Sequence, residues 1–260
     1  MDIHLQSEKY APITKIWRYM DLTKFLDLIL NKKIYLRRID KFEDPYEGYI
    51  SSAYKKDLEK EYLQFQQEFK IEENEKERLH ITHLQALELM PMYAYASCWY
   101  IGDVESAAMW KLYGENNNCI AICSTIFDLQ VALEEGDDDQ GIMHLQEVRY
   151  VHESSKVNAR NFINPMFEKR LSFSHENEFR ALYVLNKGLA NINYPHKQPN
   201  KQEVDNKDGV LIDIDVKQLI NSIYISPTAG GNFKSIVERV LELAGFDGIE
   251  CIQSELYKMK

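Results

Sequence analysis

Short apolar runs of β-strand character alternate with helical stretches along this chain, and their order is the feature that most limits its fold. Extended runs such as CIAICST (119–125) and GVLIDID (209–215) contrast with LTKFLDLIL (22–30), where apolar residues recur at intervals of three and four. The runs lack the regular strand–helix spacing of a doubly wound parallel sheet. The sequence therefore predicts an α+β fold, with a mixed, mostly antiparallel β-sheet core and flanking helices.

Two segments depart from this alternation. Residues 51–90 carry many charges together with repeated Leu, Phe and Ile, which predicts a helical insertion packed on one side. Residues 186–208 are polar and contain two Pro, which predicts a long loop. The chain of 260 residues has a length typical of one domain, and we expect residues 1–260 to form a single domain that includes both segments.

Charge and cysteine usage exclude several classes of protein. The formal net charge of −10 argues against non-specific binding to nucleic acid, although it allows a local basic groove. The four Cys form neither a CxxC pair nor a zinc-type spacing, so we expect buried, reduced thiols and no metal. No signal peptide and no apolar run of about 18 residues is visible, which predicts a cytoplasmic protein without a membrane span.

The stretch FSHENEFRALYVL (173–185) places Glu176, Glu178 and Arg180 two residues apart. On an extended strand these three side chains would share one face. The row is either a surface ion-pair ladder, which would stabilise the fold little, or the edge of a site. In a site, the two carboxylates could take unlike roles, an arrangement common in glycosidic bond cleavage.

Three further segments carry functional residue types. In IWRY (16–19), Arg18 is either an outward-facing residue of a strand or a ligand for an anion such as a pyrophosphate. FEDPYEG (42–48) is a turn in which Asp44 could hold one of the arginines nearby. In SCWYIGDVESAAMWKLYG (97–114) a wall of aromatic and hydroxyl groups could stack a flat heterocycle or simply pack in the core, and its members are Ser97, Trp99, Ser106, Trp110 and Tyr113.

Together the segments WRYMDLTKFLDLIL, FEDPYEG, SCWYIGDVESAAMWKLYG and FSHENEFRAL resemble a bacterial family labelled domain of unknown function 2971. The resemblance covers nearly the whole chain apart from the insertion at 51–90. The family label names no reaction.

The order of these segments also resembles, more distantly, the ADP-ribosyltransferase fold, including DNA-modifying toxins of the DarT type. This resemblance implies NAD as substrate, Glu178 as the catalytic residue and Glu176 as the residue that assists the acceptor. It places Arg18 or Tyr19 in the first motif of that fold and Ser97 in the middle one. The chain departs from the pattern because the first motif has no His and because SCW replaces Ser-Thr-Ser.

Three functions therefore follow as expectations. The first is an NAD-dependent ADP-ribosyltransferase, as a toxin or phage-defence effector that modifies a protein or nucleic-acid acceptor. The second is a metal-dependent nuclease that uses Asp44, Glu176 and Glu178. The third is a non-enzymatic module that binds a protein partner through the helices of residues 51–90. The first function predicts that Arg18, Ser97, Trp99 and Glu178 line one cleft, and above all that Glu178 lies near Arg18.

Overall fold

The structure is a computed structural model that describes residues 1–7, 9–69, 80–81, 84–113, 118–134, 136, 140–152, 163–188 and 207–259. Most of the predicted loop at 186–208 lies outside these residues. Of the predicted insertion, residues 70–79 and 82–83 also lie outside them.

A mixed, mostly antiparallel sheet forms the centre of the molecule and confirms the predicted α+β class. In the described residues, ten strands join it, and its main path runs β1-β6-β9-β4-β2-β5-β11-β12, while β10 pairs with β3 and β3 pairs with β4. Only the β1–β6 and β11–β12 pairs of this described sheet are parallel. Its strands are β1 (Asp2–Leu5), β2 (Lys15–Asp21), β3 (Lys33–Arg38), β4 (Ala94–Ile101), β5 (Cys119–Thr125), β6 (Gly141–Glu147), β9 (Glu178–Leu185), β10 (Gly209–Asp213), β11 (Ser222–Ile225) and β12 (Glu250–Gln253). A separate parallel pair consists of β7 (Arg149–Val151) and β8 (Glu168–Arg170).

Helices cover both faces of the sheet. They are α1 (Leu22–Asn31), α2 (Ser52–Phe69), α3 (Ala107–Tyr113), α4 (Ile126–Glu134), α5 (Val216–Leu219) and α6 (Phe233–Leu243). Helix α1 begins at Leu22 because the Asp21 side chain accepts a hydrogen bond from the Lys24 backbone N–H at 2.8 Å. None of the helices in the described part of the chain is both long enough and apolar enough to cross a membrane.

The two faces of the sheet carry different residues, because alternate side chains of each strand point to opposite sides. One face, which we call the core face, packs against α1, α4 and α6 and includes Trp99 and Phe179. The other, the site face, carries two smaller apolar clusters. One cluster includes Ala96 and Leu182 beneath α2, and the other is built around Trp110 of α3.

The described part of the predicted insertion packs onto the site face. Tyr54 and Leu58 of α2 are buried in the first of these clusters together with Leu87, which belongs to a helical segment at 84–89. Lys55 and Glu88 connect the two helical segments by an ion pair at 2.6 Å. The base of the insertion is therefore part of the folded domain.

Strand β4 has two different neighbours along one of its edges. Strand β2 pairs with it at Tyr100 and Ile101, whereas β3 pairs with it at Tyr95 and Ala96. Residues 97–99 of β4 lie between these two ladders, at a break that we call the sheet gap. The Arg18 side chain crosses from β2 to β3 at this point, since its Nη2 donates to the Tyr35 carbonyl oxygen at 2.9 Å.

Candidate functional site

A cluster of five charged residues lies on the site face, between its two apolar clusters. We call it the charge network, and its members are Glu47, Lys169, Glu176, Glu178 and Arg180. Arg180 of β9 is completely buried, so its guanidinium must be satisfied by protein groups. Its Nε donates to Glu178 Oε2 at 2.8 Å, and its two terminal nitrogens donate to Glu47 at 2.8 and 3.0 Å.

Lys169 joins the three carboxylates of the charge network. It lies on β8, and its side chain is only 8% exposed. Its Nζ lies 2.6 Å from Glu176 Oε2, 2.7 Å from Glu178 Oε1 and 3.2 Å from Glu47 Oε1. Two of these contacts, to Glu176 and Glu178, are hydrogen bonds, and the third is an ion pair with Glu47.

The charge network is one positive charge short, because three carboxylates face two cations. The two glutamates of the HENEFR stretch respond differently to this deficit. Burial and the hydrogen bond with Glu178 raise the pKa of Glu176 to about 7. Burial also opposes ionisation of Glu178, but Arg180, the hydrogen bond from Glu176 and Lys169 hold the pKa of Glu178 well below its usual range. Glu178 is therefore ionised at neutral pH, while Glu176 exchanges its proton there.

The predicted single row of Glu176, Glu178 and Arg180 is wrong at its first member. Strand β9 begins at Glu178, and Glu176 ends a 3-10 turn at Leu171–Glu176. Between them Asn177 takes a left-handed conformation with φ 36°, which Asn tolerates better than most residues. Its side chain donates to the Ile101 carbonyl oxygen at 2.8 Å and so fixes the bend. The Glu176 side chain reaches the charge network from this turn.

The FEDPYEG turn supplies two of the acidic groups at the site. Glu47 enters the charge network, and Asp44 binds Arg170 at 2.9 and 3.2 Å. Gly48 follows with φ 69°, and a Cβ added to it would lie 2.9 Å from Pro91 Cγ. Only Gly satisfies both conditions, which explains why the turn contains it.

Arg18 forms no ion pair with any carboxylate in the described part of the chain. Its guanidinium lies in the sheet gap, 5.8 Å from the centre of the Trp99 ring. Burial lowers the pKa of Arg18 to about 10, and only the nearby Cys98 and Tyr113 side chains oppose this effect. A cation held largely out of water without a counter-ion is costly, and this cost falls when an anion binds.

Cys98 and Tyr113 interact electrostatically both with Arg18 and with members of the charge network. Cys98 is opposite Arg180 in the β4–β9 ladder, and burial together with the Glu178 charge raises the pKa of its thiol. Tyr113 at the end of α3 is 47% exposed, and burial, Cys98, Glu176 and Glu178 raise the pKa of its hydroxyl group. We call this sequence of groups the polar strip, and its members are Arg18, Cys98, Tyr113, Glu176 and Glu178.

Five of the predicted site residues lie outside the polar strip. One of them, Arg180, cannot contact a cofactor because it is completely buried and paired with Glu47 and Glu178. Ser97 and Trp99 point to the core face, because they pair with Ala181 and Phe179 whereas Cys98 pairs with Arg180. Both are buried, and neither the Ser97 hydroxyl group nor the Trp99 Nε1 makes a hydrogen bond within the described residues.

The other two predicted residues, Tyr19 and Trp110, belong mainly to the core. The Tyr19 hydroxyl group accepts from the Ser106 backbone N–H at 2.7 Å, and the Trp110 Nε1 donates to Glu105 at 2.7 Å. The two rings meet edge to face, with 4.9 Å between their centres. Tyr19 and Trp110 thus pack α3 onto the sheet and do not face a ligand site.

Sequence reasoning missed three residues of the site: Lys169, Cys98 and Tyr150. The Tyr150 hydroxyl group accepts from the Glu178 backbone N–H at 2.9 Å. Cys98 could have been found from its place between Ser97 and Trp99, since alternation puts it on the opposite face from both. Lys169 and Tyr150 belong to short strands that, among the described residues, pair with each other and not with the main sheet, and no local pattern marks them.

Comparisons of this chain with protein-family models, with curated proteins and with solved structures found no match. The resemblances to domain of unknown function 2971 and to the ADP-ribosyltransferases therefore stay predictions. The geometry of the polar strip alone has to support a function.

Proposed function

We propose that this protein cleaves the bond between nicotinamide and ribose in NAD and transfers the ADP-ribosyl group to an acceptor. One observation carries the proposal: the polar strip has at one end a guanidinium without a carboxylate partner among the described residues and at the other end two carboxyl groups whose pKa values are shifted in opposite directions. NAD offers a pyrophosphate and a glycosidic bond within one molecule. The two ends of the strip suit these two groups.

The guanidinium of Arg18 supports binding of the pyrophosphate. Its planar fork matches the oxygens of a phosphate group, and a partly buried charge–charge hydrogen bond is stronger than a neutral one. Because Arg18 lacks a carboxylate partner in the described chain, an arriving anion does not have to displace an existing ion pair. The half-exposed ring of Tyr113 offers a surface on which a flat ring can stack.

The two carboxyl groups support the chemistry at the ribose. When the C1′–N bond breaks, its electron pair goes to the pyridinium nitrogen, neutral nicotinamide leaves and positive charge develops at C1′. The ionised Glu178 stabilises this charge from its fixed position. The acceptor then bonds to C1′, and the Glu176 carboxylate takes the proton that the acceptor loses.

This assignment gives the proton transfer to Glu176 because the oxygens of Glu178 already accept hydrogen bonds from Lys169 and Arg180. Glu178 then acts as a fixed charge. The nuclease alternative receives no support from the same geometry. Lys169 Nζ occupies the place between Glu176 and Glu178 where a divalent cation would bind, and Asp44 is paired with Arg170.

The test is release of nicotinamide from NAD by the purified protein, measured by chromatography, together with transfer of label from biotin-NAD to cell extract and to oligonucleotides. Glu176→Gln should lower the rate about 100-fold or more, because it removes the group that accepts the proton. Glu242→Gln is the matched control, since Glu242 is an exposed carboxylate paired with Arg239 on α6. Wild-type protein that leaves NAD intact, or a Glu176→Gln protein with full activity, would contradict the proposal.

The proposed role as a toxin or phage-defence effector rests on the sequence resemblance. The proposed cytoplasmic location rests on the sequence pattern. The nature of the acceptor is open between protein and nucleic acid. The two kinds of acceptor are separated by the labelling experiment.

A further inference from the structure

Lys169 has a position that the two glutamates alone do not explain. It lies on β8, directly beside Tyr150 of β7 in the parallel ladder. Tyr150 in turn accepts a hydrogen bond from the Glu178 backbone N–H, and the Phe173 ring lies 4.9 Å from Lys169 Nζ. The small two-stranded sheet therefore fixes the ammonium group against the polar strip.

The ammonium group of Lys169 is occupied by contacts within the protein. It donates hydrogen bonds to Glu176 and Glu178, its Nζ lies 3.2 Å from Glu47 Oε1, and its side chain is nearly buried. Its contacts are therefore mainly with carboxylates of the protein. We expect any effect of Lys169 on a reaction at the polar strip to pass through the carboxyl groups that it holds.

We propose that Lys169 is a positioning residue, which holds the Glu176 carboxyl group against Glu178 and controls its proton exchange. The consequence for catalysis rests on the proposed function. The consequence for protonation does not, because it concerns the free protein.

The charges around Glu176 determine the direction in which the loss of the Lys169 charge shifts the pKa of Glu176. Burial and Glu178 favour the protonated form of Glu176, and Lys169 favours the ionised form. Removing the ammonium charge should therefore raise the pKa of Glu176 further above 7. Lys169 and Glu178 interact with Glu176 directly, the charge of Glu176 acts on Tyr113 and Tyr150, and Glu47 and Arg180 are linked to it through Lys169 and Glu178.

The first experiment is a titration by NMR of protein with ¹³C-labelled glutamate carboxyl groups. A step near pH 7 that is missing in Glu176→Gln identifies Glu176. In Lys169→Gln the midpoint should rise by about 1–3 pH units, because an opposite charge at this distance is lost. Lys169→Arg keeps the charge and should leave the midpoint within about 1 unit of the wild type. A folded Lys169→Gln protein with an unmoved midpoint would overturn the inference, as would equal shifts in the two variants.

The second experiment needs no substitution of Lys169 and so remains decisive if those variants fail to fold. The ¹⁵Nζ resonance of Lys169, assigned through its own side-chain carbons, should shift with the same midpoint as Glu176 in the wild type. The shift should vanish in Glu176→Gln. A resonance that stays constant across this pH range would show that Lys169 and Glu176 are not coupled.

Measurement of NAD cleavage alongside the titrations distinguishes a failure of the positioning role from a failure of the proposed function. If NAD is cleaved, the acid limb of the kcat profile in Lys169→Gln should move by the shift seen in the titration, with KM for NAD unchanged. If both titrations give the expected result and NAD stays intact, the proposed function fails and the positioning role stands. If NAD is cleaved through Glu176 while the titrations show no coupling, the positioning role fails and the function stands.

Discussion

Arg180 donates two parallel hydrogen bonds to Glu47, from Nη1 to Oε2 at 2.8 Å and from Nη2 to Oε1 at 3.0 Å. The two residues are 133 positions apart in the chain, and both side chains are almost completely buried. This pair connects the turn after β3 to the strand that carries Glu178. The candidate site is expected to form only when this Arg180–Glu47 pair is intact.

Removal of Glu47 should be among the most destabilising single changes in the chain. Glu47→Ala leaves the Arg180 guanidinium buried with only part of its partners, and we expect a loss of about 3–5 kcal/mol in the free energy of unfolding. Urea denaturation measures this loss. Asp213→Ala is the control, because it breaks an exposed ion pair with Lys33 and should cost less than about 1 kcal/mol. Similar losses in the two variants would contradict the buried network.

The pH dependence of stability should report the protonation of Glu176. Its pKa in the folded protein is about 7, above the ordinary value of 4.5, so the folded state holds more protons than the unfolded state between these values. The free energy of unfolding of the wild type should therefore fall as pH rises from about 5 to about 7, by roughly 2 kcal/mol relative to Glu176→Gln.

Glu178 acts in the opposite sense and in another range. Its pKa is lowered, so the stability that it contributes is present above the ordinary value of 4.5 and is lost only as pH falls below it. Denaturant titrations of the wild type and Glu176→Gln at several pH values between 5 and 8 check the prediction. Parallel curves for the two proteins would mean that Glu176 ionises normally.

Replacement of Arg18 should separate stability from binding. Because Arg18 is largely buried without a carboxylate partner in the described chain, Arg18→Met should leave the melting temperature unchanged or raise it. The same change should weaken NAD binding about 10- to 100-fold, the value of a charged hydrogen bond. Calorimetry with NAD checks this, with Arg239→Met on the exposed face of α6 as the control. Unchanged affinity in Arg18→Met would remove Arg18 from the site.

The glycine of the FEDPYEG turn should tolerate no side chain. Gly48→Ala adds a Cβ 2.9 Å from Pro91 Cγ and forces alanine into φ 69°, so we expect a loss of about 1–3 kcal/mol. Gly230→Ala is the matched control, because no heavy atom lies within 4 Å of the added Cβ and its φ is not positive. Thermal unfolding compares the two variants. Equal stabilities would mean that the turn can relax without loss.

The sequence predicted the sheet core better than the site, and Glu176 shows why. Period-two alternation correctly put Glu178 and Arg180 on one face, since both lie within β9. The same rule failed at Glu176 because Asn177 turns the chain one residue earlier. A single left-handed residue is a local choice that Asn permits without requiring it.

The sequence of a single strand does not show which of its two faces lies on the same side of the sheet as a given face of its neighbour. Ser97 and Trp99 alternate correctly within β4, but only the register with β9 decides that they face away from Glu178. Register depends on which residues meet across the whole sheet. The same holds for Lys169, because its partner Glu47 comes from a distant part of the chain.

The charge network also limits how this sequence can change over time. Loss of either cation, Lys169 or Arg180, would deepen the deficit of positive charge, whereas loss of one cation together with one carboxylate would leave that deficit unchanged. Descendants of this chain should thus keep the five residues together or replace oppositely charged members in the same lineage. Covariation between positions 47, 169 and 180 in related sequences would be evidence of that constraint.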